Sequence, residues 1–409
     1  MNFLVIQETD WLHRGPHIQH HLFERLSLDQ RNNITVFDFD IDRMQKSSSL
    51  IVKRTVFPKY SKIFKDSRVN VIRSWHIQLP WINRISALIA DFFEFGYQIN
   101  RSRPDIIFNY AMSNGIYAFL YAKLYRIPFV FHYIDILHEL LGNRLASIIG
   151  RAVSKFLLQH ADEVIIHNPS HRNHVINYGV NPRKIQIIRT GISLENTIIN
   201  SAKLETIRAK LGIMPEDFVI FFMGYLYDFA GLKEIIQFYD DEVKAGKLKL
   251  KFIIVGDGGI YEELKKYIAV NNVSWAIMTG RVPYKELAEY IELADLCLQS
   301  FKINEITSQA APIKIYEYMA QKKPTLSTKL PGIYSELGDN HGVLFVRNQK
   351  ELISQIARYS RDRESLSYVG QQAFEYAQKF LRWDIILADF KKLLVKILER
   401  NAKKKNLDE

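Results

Sequence analysis

FKINEITSQAAPIKIYEYMAQKKPTLSTKLP (301–331) is the stretch from which the rest of the chain is read. Pro312 suits a first helical position, because its fixed φ fits there and its missing N–H is no loss. Pro324 disfavours helical geometry at Lys323, so the helix should end before it. Ala310 and Ala311 offer no side-chain oxygen to cap the start, and the first backbone N–H groups need an outside partner. A helix start carries roughly half a positive charge, which makes an anion the natural candidate. Lys314 and Glu317 share one face at i, i+3 spacing, while Ile313, Ile315, Tyr316, Tyr318, Met319 and Ala320 are apolar or aromatic. A helix that apolar is mostly buried, and a carboxylate on it needs donors, which the hydroxyl pair of a ribose would supply. A surface Lys314–Glu317 pair worth about 0.3 kcal/mol is the alternative. These residues alone leave both readings open.

Outward from this helix, short apolar runs alternate with helical patterns. FVIFFMG, LKFIIVGDGG, VSWAIMTG, ADLCLQS, KPTLST and GVLFV read as buried strands of one half. Before a polar hinge near Gly191–Leu204, the same pattern runs through NFLVIQ, ITVFDF (34–39), VNVIRS (69–74), DIIFNY (105–110), PFVFHY (128–133), EVIIHN (163–168) and KIQIIRT (184–190). Strands alternating with helices predict an α/β fold of two doubly wound parallel sheets, with ligands at the carboxyl ends of strands. The expected division is 1–194, 195–382 and a terminal segment 383–409, in which an amphipathic helix ends in a frayed basic tail.

At 409 residues, with 47% apolar and 12% aromatic content, the chain can bury two cores and is not disordered. The single cysteine, Cys297, rules out an internal disulfide and fits a reducing compartment. No leader pattern opens the sequence and no apolar run approaches the ~20 residues of a membrane span, so a cytoplasmic location is expected. Net charge is +11, and through residue 195 there are 24 Lys/Arg against 16 Asp/Glu. An anionic partner for the first half follows, a membrane surface or a phosphorylated acceptor. The basic and aromatic segment 53–84 fits the inner face of a membrane, single-stranded nucleic acid, or a plain solvated connection.

Four histidines crowd WLHRGPHIQHH (11–21), but no carboxylate or cysteine pattern completes a metal site around His17 and His21. Arg14–Gly15, at a strand-to-helix turn, suits a phosphate or sugar. The acidic run VFDFDIDR (36–43) offers Asp38 and Asp40 as chelators of a hard cation, or as a solvated loop. His132 and Asp135 follow a buried strand. On its own, His132 reads as a satisfied structural histidine rather than a site residue.

PIKIYEYMAQKKPTLST, FFMGYLYDFAGLKEII (221–236), IIVGDGGIYEELKKY (253–267), TGRVPYKELAEYIELADL (279–296) and LPGIYSELGDNHGVLFV (330–346) together resemble the retaining GT-B glycosyltransferases of the large family 4, group 1 type. The resemblance covers nearly the whole chain and is strongest from 217 to 346. It implies two Rossmann-like domains facing across a cleft, with the last helix crossing back to the first domain. It also implies sugar transfer from a UDP- or GDP-sugar to an acceptor hydroxyl on a glycan or polyprenyl-linked molecule, an EC 2.4 hexosyltransferase reaction. No metal, other cofactor or nucleic acid is implied. Glu317 would grip the ribose, Arg281 and Val282 the base, Lys314 the diphosphate, and Gly224 and Ile315 would also contact the donor. Gln309 stands where the family has a second glutamate. His132 and Asp135 would reach the sugar, while Arg14, Gly15 and Gly191 would border the cleft. The family's arginine after the first glycine is Tyr225 here, and its lysine before the second is Ala230, so Lys314 is the expected substitute cation, with Lys233, Lys302 and Arg189 behind it. A nucleotide-sugar isomerase or hydrolase on the same fold, or a non-catalytic relative, stays open.

Overall fold

The computed structural model describes every residue except 9, 14, 40–49, 80–81, 135–143, 193–196, 309, 340 and 409. It separates into two compact units, Met1–Arg189 with Asp384–Glu409, and Thr190–Trp383. The boundary falls at Arg189/Thr190 rather than after residue 194. The backbone N–H of Ile192 donates to the Leu381 carbonyl at 2.6 Å, which ties the hinge strand into the second unit.

The first unit holds β1 (Asn2–Ile6), β2 (Asn33–Phe37), β3 (Ile51–Val52), β4 (Thr55–Tyr60), β5 (Val69–Arg73), β6 (His76–Ile77), β7 (Ile106–Asn109), β8 (Phe129–Tyr133), β9 (Glu163–Ile166) and β10 (Ile185–Ile187). Eight of them form one sheet in the order β10-β9-β8-β7-β1-β2-β5-β4. It is parallel except for β4, which runs antiparallel to β5 at the edge. The short strands β3 and β6 make a separate antiparallel pair. Every long parallel strand comes from an apolar run, as burial on both faces demands. The sequence gives β4 no such run. Its basic TVFPKY forms a strand because an edge needs only one paired side and tolerates lysine and proline there.

The second unit holds β11 (Phe218–Met223), β12 (Leu250–Val255), β13 (Ala276–Gly280), β14 (Leu296–Gln299), β15 (Thr325–Thr328) and β16 (Val343–Val346). They pair in the order β13-β12-β11-β14-β15-β16, and every pair is parallel. β11 shows how sequence becomes layer. Phe218, Ile220 and Phe222 enter the core on one side of the sheet, and Val219, Phe221 and Met223 enter the core on the other. The order reverses between β11 and β14, so the loops following these two strands flank the switch point where open α/β sheets take ligands.

The terminal basic tail is helical rather than frayed, within the helix Trp383–Asp408. Phe390 of that helix packs on Phe23 and Phe108, with ring centroids 6.2 and 5.6 Å away. Near its end Arg400 pairs with Glu163, and Lys404 reaches Asp162 at 3.4 Å. Asp162 and Glu163, at the start of β9, thus hold the tail in place.

Candidate functional site

The helix of the opening stretch spans Ile313–Ala320, with Pro312 at the N-cap position and no side chain capping it. Ile315, Tyr316, Tyr318, Met319 and Ala320 are buried. The Tyr318 hydroxyl accepts from the Met223 backbone N–H at 3.2 Å, and the Tyr316 hydroxyl donates to Glu336 at 2.6 Å. These contacts fix the helix start beside the end of β11. Ile315 itself belongs to the core, so its side chain is structural.

Lys314 therefore points at the switch point. Its Nζ is buried and has no hydrogen-bond partner among the described residues. It lies 3.8 Å from the ring centre of Phe222 and 4.4 Å from that of Phe301. A Cβ built on Gly224 would be 3.4 Å from it, so the glycine leaves the amine open to the loop after β11. Burial holds the amine well below the ordinary lysine range. A buried amine without partners costs stability, and an anion reaching it would supply the missing partner. The surface-pair reading of Lys314 and Glu317 fails, because the two side chains do not meet.

One turn on, Glu317 lines a pocket with Ile192, Thr197, Tyr284, Leu287, Ile291 and Gln321. Burial among these apolar groups pushes its carboxyl up to about 7, against the smaller opposing effect of a hydrogen bond from Tyr284. A carboxylate so placed gains from new donors, and a vicinal diol offers two.

The loop after β11 replaces cations with rings. Tyr225, Tyr227 and Phe229 stack in sequence at 4.5 Å each, and Phe229 meets Phe301 edge-on at 5.0 Å. Lys233 and Lys302, the other candidate cations, are engaged by Glu263 and Glu234. The GDGG turn has a different task. A Cβ at Gly256 would sit 2.0 Å from the Gly224 carbonyl oxygen, and one at Gly258 would sit 2.4 Å from the Leu226 nitrogen. These glycines let two loops touch through their backbones. Arg281, largely exposed, pairs with Asp257 of that turn at 2.6 Å, and Val282 packs beside it on the unit's core. Gly191 has a packing reason as well, since a Cβ there would sit 2.5 Å from the Trp383 ring.

In the first unit, His132 ends β8. The Tyr110 hydroxyl lies 2.8 Å from its Nδ1, and its Nε2 is buried with no partner among the described residues. Burial lowers the imidazole to about 3, so it is neutral. A phenol donating to Nδ1 leaves the proton on Nε2. The ring then presents a donor suited to orienting a hydroxyl rather than a base. His167, also buried and lowered to about 4, follows β9 beside it. Tyr110 and His167 escaped the sequence reading because nothing in one strand shows what the next strand brings alongside.

Asp38 is the acid of the run 36–43 that lies among the described residues, and its oxygens are engaged within the protein. Asp38 is buried against Arg73 at 2.7 Å, and Arg73 also holds Asp10 at 2.5 Å. Asp38 accepts from the Trp11 N–H and Gln7 as well, and burial raises it to about 6. Two of the clustered histidines are structural. His20 accepts from the His17 N–H and reaches the Trp11 carbonyl, and His21 meets Arg25. Gly15 lies exposed ahead of the helix Ile18–Ser27, with φ of 88°. In 53–84, Arg54 is taken by Glu94, Lys62 by the Trp11 carbonyl and Arg84 by Glu8. Arg14, Asp40, Asp135 and Gln309 lie outside the described residues. No described helix is long and apolar enough to cross a membrane.

Residues 204–376 match the family model described as glycosyl transferases group 1, and residues 52–196 match that of glycosyltransferase family 4. An uncharacterized glycosyltransferase of Methanocaldococcus jannaschii is 24% identical over 263 residues, covering 63% of this chain and 64% of the relative. The match thus spans just under two thirds of that relative's length. Among solved structures, sucrose-phosphate synthase from Thermosynechococcus elongatus superposes with a TM-score of 0.76 at 15% identity, covering 98% of this chain and 100% of the other. Anabaena HepE in complex with UDP-glucose gives 0.71 at 17% identity, over 97% and 100%.

Proposed function

We propose that this chain, which belongs to the family 4 (group 1) glycosyltransferases and has their two-domain GT-B fold, moves a sugar from a nucleotide diphosphate donor to an acceptor hydroxyl. The observation that supports the reading most is the unpartnered, buried Lys314 amine at an uncapped helix start, one turn from the pocket-lining Glu317. The diphosphate would occupy the helix start and Lys314, with the ribose on Glu317 and the base near Arg281 and Val282. HepE is a relative in fold that binds UDP and UDP-glucose, which supports a nucleotide sugar here, UDP- or GDP-linked.

Transfer would proceed with retention and without metal. The acceptor oxygen forms its bond to the anomeric carbon on the face from which the bond to the β-phosphate oxygen breaks. The bonding electrons leave with the diphosphate, and the hydroxyl proton passes to its departing oxygen. Lys314 and the helix start stabilise the charge that develops there. His132, with Tyr110 fixing its tautomer, would donate from Nε2 to a sugar hydroxyl and hold its orientation. The acceptor is proposed to be a glycan or polyprenyl-linked molecule, which would place the reaction at the inner face of the cell membrane.

Incubation with UDP- and GDP-sugars, with and without a polyprenyl-phosphate-linked sugar and with a chelator, tests the proposal. Acceptor-dependent nucleotide release, unaffected by the chelator, with the donor's anomeric configuration kept in the product, is the expected result. Equal turnover without acceptor would make the protein a hydrolase or isomerase. No turnover with any donor would make the missing family cations at Tyr225 and Ala230 the mark of a non-catalytic relative.

A further inference from the structure

Three successive helices of the first unit, Ile82–Ser102, Ser113–Leu124 and Arg144–His160, form a layer on its sheet. The middle helix touches both neighbours. Phe92 lies 5.3 Å from Tyr117 and 5.4 Å from Tyr121, and Phe119 lies 5.3 Å from Phe156. Their inner faces are filled by Ala87, Phe95, Ala118, Ala122, Leu157 and Leu158, all buried. An ordinary surface helix would then turn polar residues outward. These do not. Ile89 and Phe93 on the first helix, Leu120 and Leu124 on the second, and Ile148 and Ile149 on the third are all at least half exposed or nearly so, with Phe93 at 68% and Leu124 at 73%. A contiguous apolar face across three helices exceeds the scattered exposure normal for a folded surface.

Among the described residues, the exposed charges on the three helices are cationic. Arg101, Lys123, Arg151 and Lys155 are exposed, and Lys123 lies 3.6 Å from Asp162 at the layer's border. The two acids of the layer are occupied, since Asp91 is buried on Asn114 and Glu94 is held by both arms of Arg54. A second copy docking through this same face would set cations against cations, with no free carboxylate among the described residues of the three helices to answer them. A bilayer containing anionic phospholipid answers both features, because rings and aliphatic chains enter the acyl boundary while lysine and arginine reach headgroup phosphates.

We propose that this three-helix face docks the protein on an anionic membrane surface. Segment 53–84 is a different stretch, in which Arg54, Lys62, Arg73 and Arg84 have partners within the protein while Lys53, Lys59, Lys65 and Arg68 are exposed. It does not depend on the donor or the reaction.

Flotation of the full chain with phosphatidylcholine vesicles, plain or mixed with phosphatidylglycerol, tests it. Wild type should float with the anionic vesicles and much less with the neutral ones. Phe93→Ser with Leu124→Ser, and separately Arg151→Glu with Lys155→Glu, should each weaken binding about tenfold or more. All these side chains are exposed, so both double variants should keep the wild-type melting temperature. Failure of wild type to float, or flotation of both variants like wild type, overturns the proposal. A wild-type dimer in sedimentation that Phe93→Ser with Leu124→Ser dissociates also overturns it, and makes the face a protein interface.

Discussion

Replacing Lys314 by methionine separates what the amine costs from what it does. Its Nζ is buried, unpartnered among the described residues and held well below the lysine range by desolvation. Burial therefore disfavours its ammonium form, and the faces of Phe222 and Phe301 offset only part of that cost. Methionine fills a similar volume without leaving donors unpaired, so Lys314→Met should be as stable as wild type or more stable by about 1–2 kcal/mol. When a diphosphate arrives, its charge favours the ammonium form. The resulting charge-assisted contact contributes about 1.5–3 kcal/mol, less the cost of protonation, which amounts to a tenfold to hundredfold loss of UDP affinity in the variant. Uridine, with no phosphate, should bind both proteins alike. Calorimetry in two buffers of different ionisation enthalpy reads the proton. At about pH 8.5 Glu317, whose carboxyl lies at about 7, is already ionised and adds nothing. Wild type should take up more protons on binding UDP than Lys314→Met does, the direction that a lowered lysine requires. The reasoning is refuted if the variant binds UDP like wild type, or if it loses more than about 1 kcal/mol of stability, since an amine stabilised by its rings is not waiting for an anion.

Three further outcomes follow from the geometry. Glu317 holds its proton more tightly folded than unfolded, so its contribution to stability is full below the ordinary glutamate pKa of about 4.5 and is lost as pH rises through about 7. Wild type should lose on the order of 1–3 kcal/mol more than Glu317→Gln between about pH 5 and pH 8 in denaturant melts, and parallel pH profiles would contradict this. Arg73→Ala leaves Asp10 and Asp38 buried without their shared cation and should cost about 3–5 kcal/mol at neutral pH, with part of the loss recovered in acid; a loss under about 1 kcal/mol would argue that the triad is not buried as described. Gly256→Ala forces a methyl group to within 2.0 Å of the Gly224 carbonyl oxygen, so it should destabilise the protein by about 2–4 kcal/mol and weaken UDP binding through the displaced loop, and a variant that melts and binds like wild type would show that the loops do not touch.

The parallel strands were legible because burial on both faces writes them as continuous apolar runs. The central helix was legible because Pro312 and Pro324 bracket it and its own residues leave only Ile313, Lys314 and Glu317 off the core. What the chain hides is lateral. Arg73 lies far along the sequence from Asp10 and Asp38, and only the adjacency of β1, β2 and β5 joins them, so VFDFDIDR read as a loop with chelating capacity. Tyr110 and His132 meet for the same reason. The edge strand β4 and the helical tail were missed because their composition is polar and their order comes from partners, β5 in one case and the carboxylates of Asp162 and Glu163 in the other. The apolar outer face of the three-helix layer was visible as composition only. Its exposure became apparent once the inner faces were seen to be full.

The central claim is that the helix from Ile313 to Ala320 holds a nucleotide diphosphate, with Glu317 on the ribose. Calorimetric titration of UDP and GDP into wild type and Glu317→Ala, with and without Mg²⁺, tests it most directly. The account predicts that one nucleotide binds wild type equally with and without the metal, and binds the variant about thirtyfold more weakly or worse, the loss of two hydrogen bonds to a carboxylate after the cost of ionising it. Equal affinity in wild type and variant, or no binding of either nucleotide, would contradict it.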